Sequence, residues 1–161
     1  RFLPSRSQRR VLRKNSDLDL EVAAPRLDEE RLSLNRRHHA DREVRRGWPS
    51  TEMGFEEYYE TFCLNAVPTL EFAYRLDDRL VAVAYVGAGE ESLNSIYAFM
   101  DPEHVRRSLG VFDVLSEIDE ARRLGKSYLY LGYYVKGCKS MEYKANYRPH
   151  EILGREGWQE A

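Results

Sequence analysis

"SLNSIYAFMDPEHVRRSLGVFDVLSEIDEARRLGKSYLYLGYYV" covers residues 92–135, and its hydrophobic period changes twice. The first nine residues are rich in aromatic and aliphatic side chains and read as a strand that ends at Asp101-Pro102. Over 108–124 the apolar positions Val111, Leu115 and Ile118, with Phe112 beside them, recur at helical spacing. Gly125 then sits where a C-terminal cap glycine belongs. "SYLYLGYYV" reads as the next strand. A strand, a helix and a strand in one sheet form a crossover unit, so the two strands run parallel.

Upstream, "TLEFAYRL", a turn at "DDR" and "LVAVAYVGAG" read as a hairpin. Three meandering strands followed by a strand–helix–strand unit predict an α/β (α+β) domain: a mixed sheet with helices on both faces. "DLDLEVAA" (17–24) alternates polar and apolar residues, as a half-buried strand does. The span 27–46 is charged, with Leu27, Leu32 and Leu34 as sparse apolar points, and reads as a surface helix. After "GWPSTEMG", Ser50 or Thr51 is placed to cap a helix in "FEEYYETFCLN", with Phe55, Tyr58, Tyr59 and Phe62 on one stripe. Downstream, a short helix over 141–147 stops before Pro149, and "HEIL" reads as a last strand.

The 161 residues are enough for one domain with a real core, and 42% apolar against 32% charged residues is an ordinary composition for such a domain. No apolar run is long enough to span a bilayer and no signal peptide is visible, so a cytoplasmic protein without a membrane partner is expected. Two cysteines, Cys63 and Cys138, make no disulfide framework, and no histidines stand at metal spacing. His38 and His39, being adjacent, would point about 100° apart on a helix. Residues 1–15 form a basic arm: "RFLPSRSQRRVLRK" holds Arg1, Arg6, Arg9, Arg10, Arg13 and Lys14 and no acid, although the whole chain carries −2. Such an arm is either a polyanion site or a solvated tail. The first residue is arginine, so the chain reads as a fragment or a processed product.

Two stretches carry candidate chemistry. "VRRSLG" puts Arg106 and Arg107 before a helix N-terminus, where free amides and the helix dipole favour an anion, or else the two arginines are plain surface. "YLGYYVKGCKSMEYKANYRPHE" (130–151) crowds Tyr130, Tyr133, Tyr134, Tyr143 and Tyr147 around Lys144. Tyrosine offers an apolar body and a hydroxyl that seeks a partner, so this is a pocket wall or a packed hinge, in which Tyr143 and Tyr147 simply meet at i and i+4. Asp113, Glu117 and Glu120 read as a solvated row on an exposed helix face. Cys138 reads as an inert buried thiol and Met141 as a packing residue.

Three stretches together resemble one family. "FLPSRSQRRVLRKNSDL" is similar to the "PSRSQRRVLRRN" signature of the aminoacyl-tRNA–protein transferases. These are the arginyltransferases of the arginine N-degron pathway and the bacterial aspartate/glutamate leucyltransferases. "RRLGKSYLYLGYYVKGCKSMEYKANYRPHEIL" resembles their second signature, and "SIYAFMDPEHVRRSLGVFDVL" the segment before it. The resemblance implies a GCN5-related N-acyltransferase-like fold that takes aminoacyl-tRNA as donor. The amino acid, Arg or Leu, goes to the N-terminal amine of proteins beginning with Asp or Glu, marking them for degradation. The family's cysteine-rich N-terminal region, which carries an iron–sulfur cluster or related metal, is absent from these residues, so no cofactor is expected in this chain. Where the family has "LYxRYxxxRH", this sequence has "LNRRHHADRE": Arg37 and Arg42 match, whereas Asn35, His38 and Glu43 depart from the pattern. The leucyl branch has serine and proline where Cys138 and Lys139 stand, so the donor amino acid stays open.

An aminoacyl ester is already activated, and its attacker is an amine of pKa about 8. The enzyme has to hold the two in near-attack geometry, worth roughly 7–11 kcal/mol, help the amine lose a proton and stabilise the oxyanion. By resemblance, Tyr143 and Lys144 match the family's "YK"; with Tyr133 they are the expected catalytic residues, Lys144 facing the terminal phosphate or oxyanion. Arg6, Gln8, Arg9, Arg10 and Lys14, with Arg106 and Arg107, are the expected tRNA contacts, made mostly at phosphates. Tyr147, Arg37 and Arg42 are expected at the substrate, with Arg75 a further cation available to an acidic acceptor. Two other readings stay open: an acyl-CoA-dependent N-acetyltransferase, whose phosphate-binding loop "RSLGVF" would match only in part, and a non-catalytic tRNA-binding fragment.

Overall fold

The computed structural model describes residues 2–138 and 140–161. Arg1 of the basic arm and Lys139 of the second signature lie outside the described residues. A five-stranded sheet in the order β1-β2-β3-β4-β5 organises the chain. Its strands are β1 (Asp19–Ala23), β2 (Thr69–Leu76), β3 (Arg79–Ala88), β4 (Ser92–Met100) and β5 (Tyr128–Tyr130). The first four pair antiparallel and β4–β5 pair parallel, so the sheet is mixed, as the alternating periods predict. Asp77 and Asp78 join β2 to β3 with φ of 49° and 65°, the double left-handed turn whose twist suits a two-residue hairpin. The central β3 is buried from Leu80 to Gly87, which explains its uninterrupted apolar reading.

Helices cover both faces. α2 (Glu29–Arg46) brings Leu32 and Leu34 against Val83, Tyr85 and Phe99, with Tyr58 and Phe62 completing that layer. α4 (Leu109–Arg123) crosses between β4 and β5 and packs Leu109 and Ala121 against Phe72, Val81, Ala84 and Leu93 on the other face. Its C-terminus runs into Gly125 at φ 68°, the cap the sequence indicates.

Five local expectations are corrected. Residues 6–14 are an ordered helix, α1 (Arg6–Lys14), closed by a Ser5/Gln8 capping box and seated on α4 through Leu12, so the start of the chain is no solvated tail. α2 is no plain surface helix, because Arg31, Leu32, Asn35 and His38 are buried along its inner face. The third helix, α3 (Phe55–Tyr58), starts at Gly54 without a side-chain cap and continues as a π turn, Tyr59–Cys63. That extra residue per turn breaks the aromatic stripe, leaving Tyr58 and Phe62 buried while Phe55 and Tyr59 are half exposed. β5 ends at Tyr130, five residues early. Finally, "HEIL" is one arm of a separate hairpin, β6 (Glu151–Gly154) and β7 (Gly157–Glu160).

Candidate active site

β4 is nine residues long, but β5 pairs only with Ser92, Leu93 and Asn94. Beyond Asn94 that edge of β4 has no strand partner among the described residues, and a cleft of about 550 Å³ opens there. Its walls are β4 from Ser95 to Ala98, Arg42 and Arg45 of α2, the start of α4, and Tyr143 with Lys144. Ser108 adopts φ 57° and turns the chain into α4, so the amides of Leu109 and Gly110 precede the first intrahelical bond, from Val111 to Ser108. These free amides and the helix dipole are features that favour an anion. The two arginines are not part of it. Arg107 binds both Asp17 oxygens (2.8 and 2.9 Å), Arg106 is exposed, and neither lines the cleft.

Tyr143, Lys144 and Tyr147 fall on or just after a 3₁₀ turn, Glu142–Asn146. Lys144 Nζ donates to the Tyr133 carbonyl (2.7 Å), and partial burial lowers its pKa. Gly132 holds φ 76° beside it, a conformation that suits glycine and brings the backbone close to Nζ. The Tyr133 side chain is 88% exposed, so what reaches Lys144 from that residue is its carbonyl. Tyr143 lines the cleft, and burial raises the pKa of its phenol. Tyr147 packs on Phe2, and its buried hydroxyl has no hydrogen-bond partner among the described residues.

The remaining expected residues separate clearly. Arg37 is committed to the buried Asp101 (3.0 Å), which also holds Arg79. Arg75 binds Glu30. Arg42 faces the cleft with only a 3.9 Å approach to Asp41, while Arg45 takes Asp41 at 2.6 Å. On α1, Gln8 is buried and structural, donating to the Asn146 carbonyl (3.2 Å) and so tying α1 to the Lys144 segment. Lys14 donates to the Arg106 carbonyl (2.5 Å) and Arg9 to that of Pro4 (2.6 Å), whereas Arg6 and Arg10 are exposed at i, i+4 spacing. Cys138 is half-buried beside Ser140, and Met141 is half-buried. His38 is buried and accepts the Met100 amide (3.2 Å), burial lowering its pKa. Among the described residues, no three His, Cys, Asp or Glu side chains gather as a metal site, and no helix is long and apolar enough to cross a membrane.

The largest correction concerns the acidic row of α4. Asp113, Glu117 and Glu120 are 3%, 0% and 8% exposed. Glu120 is paired to Arg123 (2.6 Å). Asp113 accepts Tyr74 Oη (2.7 Å) and Glu117 accepts Ser95 Oγ (3.0 Å). Burial pushes Asp113 up to about 7, against the Tyr74 hydrogen bond, and raises Glu117 through burial and then through the charge of Asp113. A sequence signal existed: neither acid has a basic residue three or four positions away, and an unrelieved i, i+4 acid pair is unfavourable on a solvated helix. Acids that bind protons more tightly when folded lose stability as pH rises from their unfolded pKa to their folded one. Asp113→Asn is therefore expected to match the wild type near pH 4 and to be more stable at about pH 8, by an amount on the order of a few kcal/mol. Urea unfolding at the two pH values measures this.

The family model described as "Arginine-tRNA-protein transferase, C terminus" matches residues 30–154. An aspartate/glutamate leucyltransferase of Pseudomonas fluorescens is 40% identical over 98% of this chain and 66% of its own length. One of Campylobacter jejuni is 38% identical over 92% of this chain and 63% of its own length. The chain thus spans about two thirds of the length of these relatives. The ribosomal-protein-S18-alanine N-acetyltransferase of Escherichia coli superposes with a TM-score of 0.56 at 13% identity, covering 88% of this chain and 89% of that one. That likeness establishes the fold of the GCN5-related acyltransferases.

Proposed function

The chain belongs to the arginine-tRNA-protein transferase family, and from that premise we propose that it transfers an amino acid from aminoacyl-tRNA to the N-terminal α-amine of proteins beginning with Asp or Glu, marking them for degradation. Leucine is the donor amino acid in this reading, because the relatives are leucyltransferases. The observation that carries the reading is the cleft, where the unpaired edge of β4, the first amides of α4, Arg42 and Lys144 converge. Each has one task in an aminolysis. The amides of Leu109 and Gly110 receive an anionic group of the tRNA terminus. The free edge of β4 offers backbone hydrogen bonds to an extended acceptor peptide. Arg42, the cleft cation least engaged elsewhere, takes the acceptor's acidic side chain. Tyr143 and Lys144 flank the ester, and Arg6 and Arg10 of α1 supply phosphate contacts outside the cleft.

The test is transfer of labelled leucine from charged tRNA to peptides that differ only in their first residue. Asp- and Glu-initiated peptides are expected to be extended and a Lys-initiated one is not. Arg42→Ala is expected to raise KM for the acidic peptides roughly 10–100-fold, the worth of a charge-assisted hydrogen bond, with a smaller change in kcat. Equal extension of all three peptides would remove the acidic specificity, and extension of none would remove the transfer reading.

A further inference from the structure

We propose that Asp113, at the floor of the cleft, is the group that takes the proton from the attacking amine, with Tyr74 as its positioning residue; this rests on the transfer reading above. Asp113 lines the same cleft as Tyr143 and Lys144 and lies one turn after the α4 amides that form the anion seat. Helical geometry sets Glu117 beneath it at i+4, away from the opening. Tyr74 from β2 donates to Asp113, and Glu117 of α4, Tyr143 of the last 3₁₀ segment and Tyr147 just after it lie close enough to feel its charge. Ser95 of β4, Lys144 and Arg42 line the same cleft. Among the described residues none of the cations forms an ion pair with either acid.

A merely structural acid pair would have its oxygens matched by donors, because a buried unpaired polar atom is costly. Here two buried atoms beside Asp113 have no partner among the described residues, Glu117 Oε2 and the hydroxyl of Tyr147. The fold keeps unmatched polar capacity around one carboxylate at the end of a cleft, the arrangement expected where a ligand's polar group completes the set.

The step balances without any further reactant. As the amine nitrogen bonds to the ester carbonyl carbon, its proton passes to the Asp113 carboxylate. When the tetrahedral intermediate collapses, the carbon–oxygen bond to the terminal ribose breaks, and the departing oxygen takes that proton back. Asp113 returns to its starting state with an amide formed and a ribose hydroxyl released. Burial and the charge on Asp113 both favour the neutral form of Glu117, so the step is written with Glu117 holding its proton and a single charge on the buried pair.

Single-turnover transfer of leucine to an Asp-initiated peptide, followed from about pH 5.5 to 9, tests this. Wild-type rate is expected to rise with pH through a limb near 7. Asp113→Asn is expected to lower the rate about 10²–10⁴-fold, the usual worth of a general base, with the affinity for charged tRNA and the thermal midpoint at least retained. The acceptor amine also titrates in this range, so Tyr74→Phe separates the two. Loss of the Tyr74 hydrogen bond destabilises the carboxylate, and a limb belonging to Asp113 moves up by about one pH unit. A limb that stays in place belongs to the amine and overturns the proposal. So does an Asp113→Asn protein that transfers within about threefold of wild type. Wild-type protein that binds charged tRNA yet never transfers would overturn the transfer reading, and the inference with it.

Discussion

Replacing Lys144 by alanine is expected to slow transfer by about 10²–10³-fold while leaving the affinity for charged tRNA within a few-fold of wild type. The ammonium has three N–H donors, and the Tyr133 carbonyl takes one. Gly132, in its left-handed conformation, brings the chain round so that this carbonyl reaches Nζ, which leaves two donors for the cleft. Partial burial strengthens any bond those donors make to an oxygen that gains charge, and the tetrahedral intermediate of aminolysis is such an oxygen. Tight tRNA binding needs many phosphate contacts, and Lys144 is one group among several, so the loss falls on rate rather than on affinity. Arginine is not expected to rescue, because a planar guanidinium cannot occupy the point-like position held by the Tyr133 carbonyl. Single-turnover rates and filter-binding titrations on the two variants separate these quantities. A rate within threefold of wild type would remove Lys144 from the chemistry.

The second large effect concerns stability. Arg31 is fully buried, and its Nε and Nη2 donate to Glu71 Oε1 at 2.9 and 2.6 Å while Nη1 donates to Asp28. Glu71 Oε2 accepts the Tyr85 hydroxyl (3.3 Å) and the Arg26 amide (3.3 Å), and Tyr85 is joined to Tyr58 at 2.6 Å. Glu71→Ala would strand a guanidinium between α2 and the sheet. Removing one partner of such a pair costs about 3–5 kcal/mol, so the melting temperature is expected to fall by on the order of 10 °C. Replacing both groups by apolar residues, Arg31→Met with Glu71→Leu, leaves no buried charge and is expected to recover much of the loss. Calorimetry on the single and double variants decides it. A double variant as unstable as Glu71→Ala would mean that the network holds α2 through geometry rather than through charge balance.

That same network explains where the sequence misleads. The sheet was legible because β-branched and aromatic runs in β2, β3 and β4 are separated by a two-residue Asp-Asp turn, and α4 because its apolar spacing ends at a cap glycine. α2 reads as a surface helix because its inner face is built from Arg31, Asn35 and His38, and the partners of Arg31 and His38, Glu71 and the Met100 backbone, are supplied only by the folded sheet. The acids of α4 mislead for the same reason, since Tyr74 lies 39 residues from Asp113 along the chain. Pattern reading assigns a charged residue to solvent unless its partner is nearby in sequence. Tyr143 and Lys144 came from resemblance and do meet at the cleft. Arg37, Arg106 and Arg107 look equally available in sequence, but the fold assigns them to Asp101, to solvent and to Asp17.

The central claim is that this acyltransferase cleft works on an ester carried by tRNA. It is tested most directly by offering the protein a peptide that begins with Asp together with fully charged total tRNA and acetyl-CoA in the same tube, and weighing the peptide by mass spectrometry. The account predicts a single new species heavier by one leucine residue, absent when the tRNA is left uncharged. A peptide heavier by an acetyl group, or unchanged while charged tRNA remains bound, would contradict it.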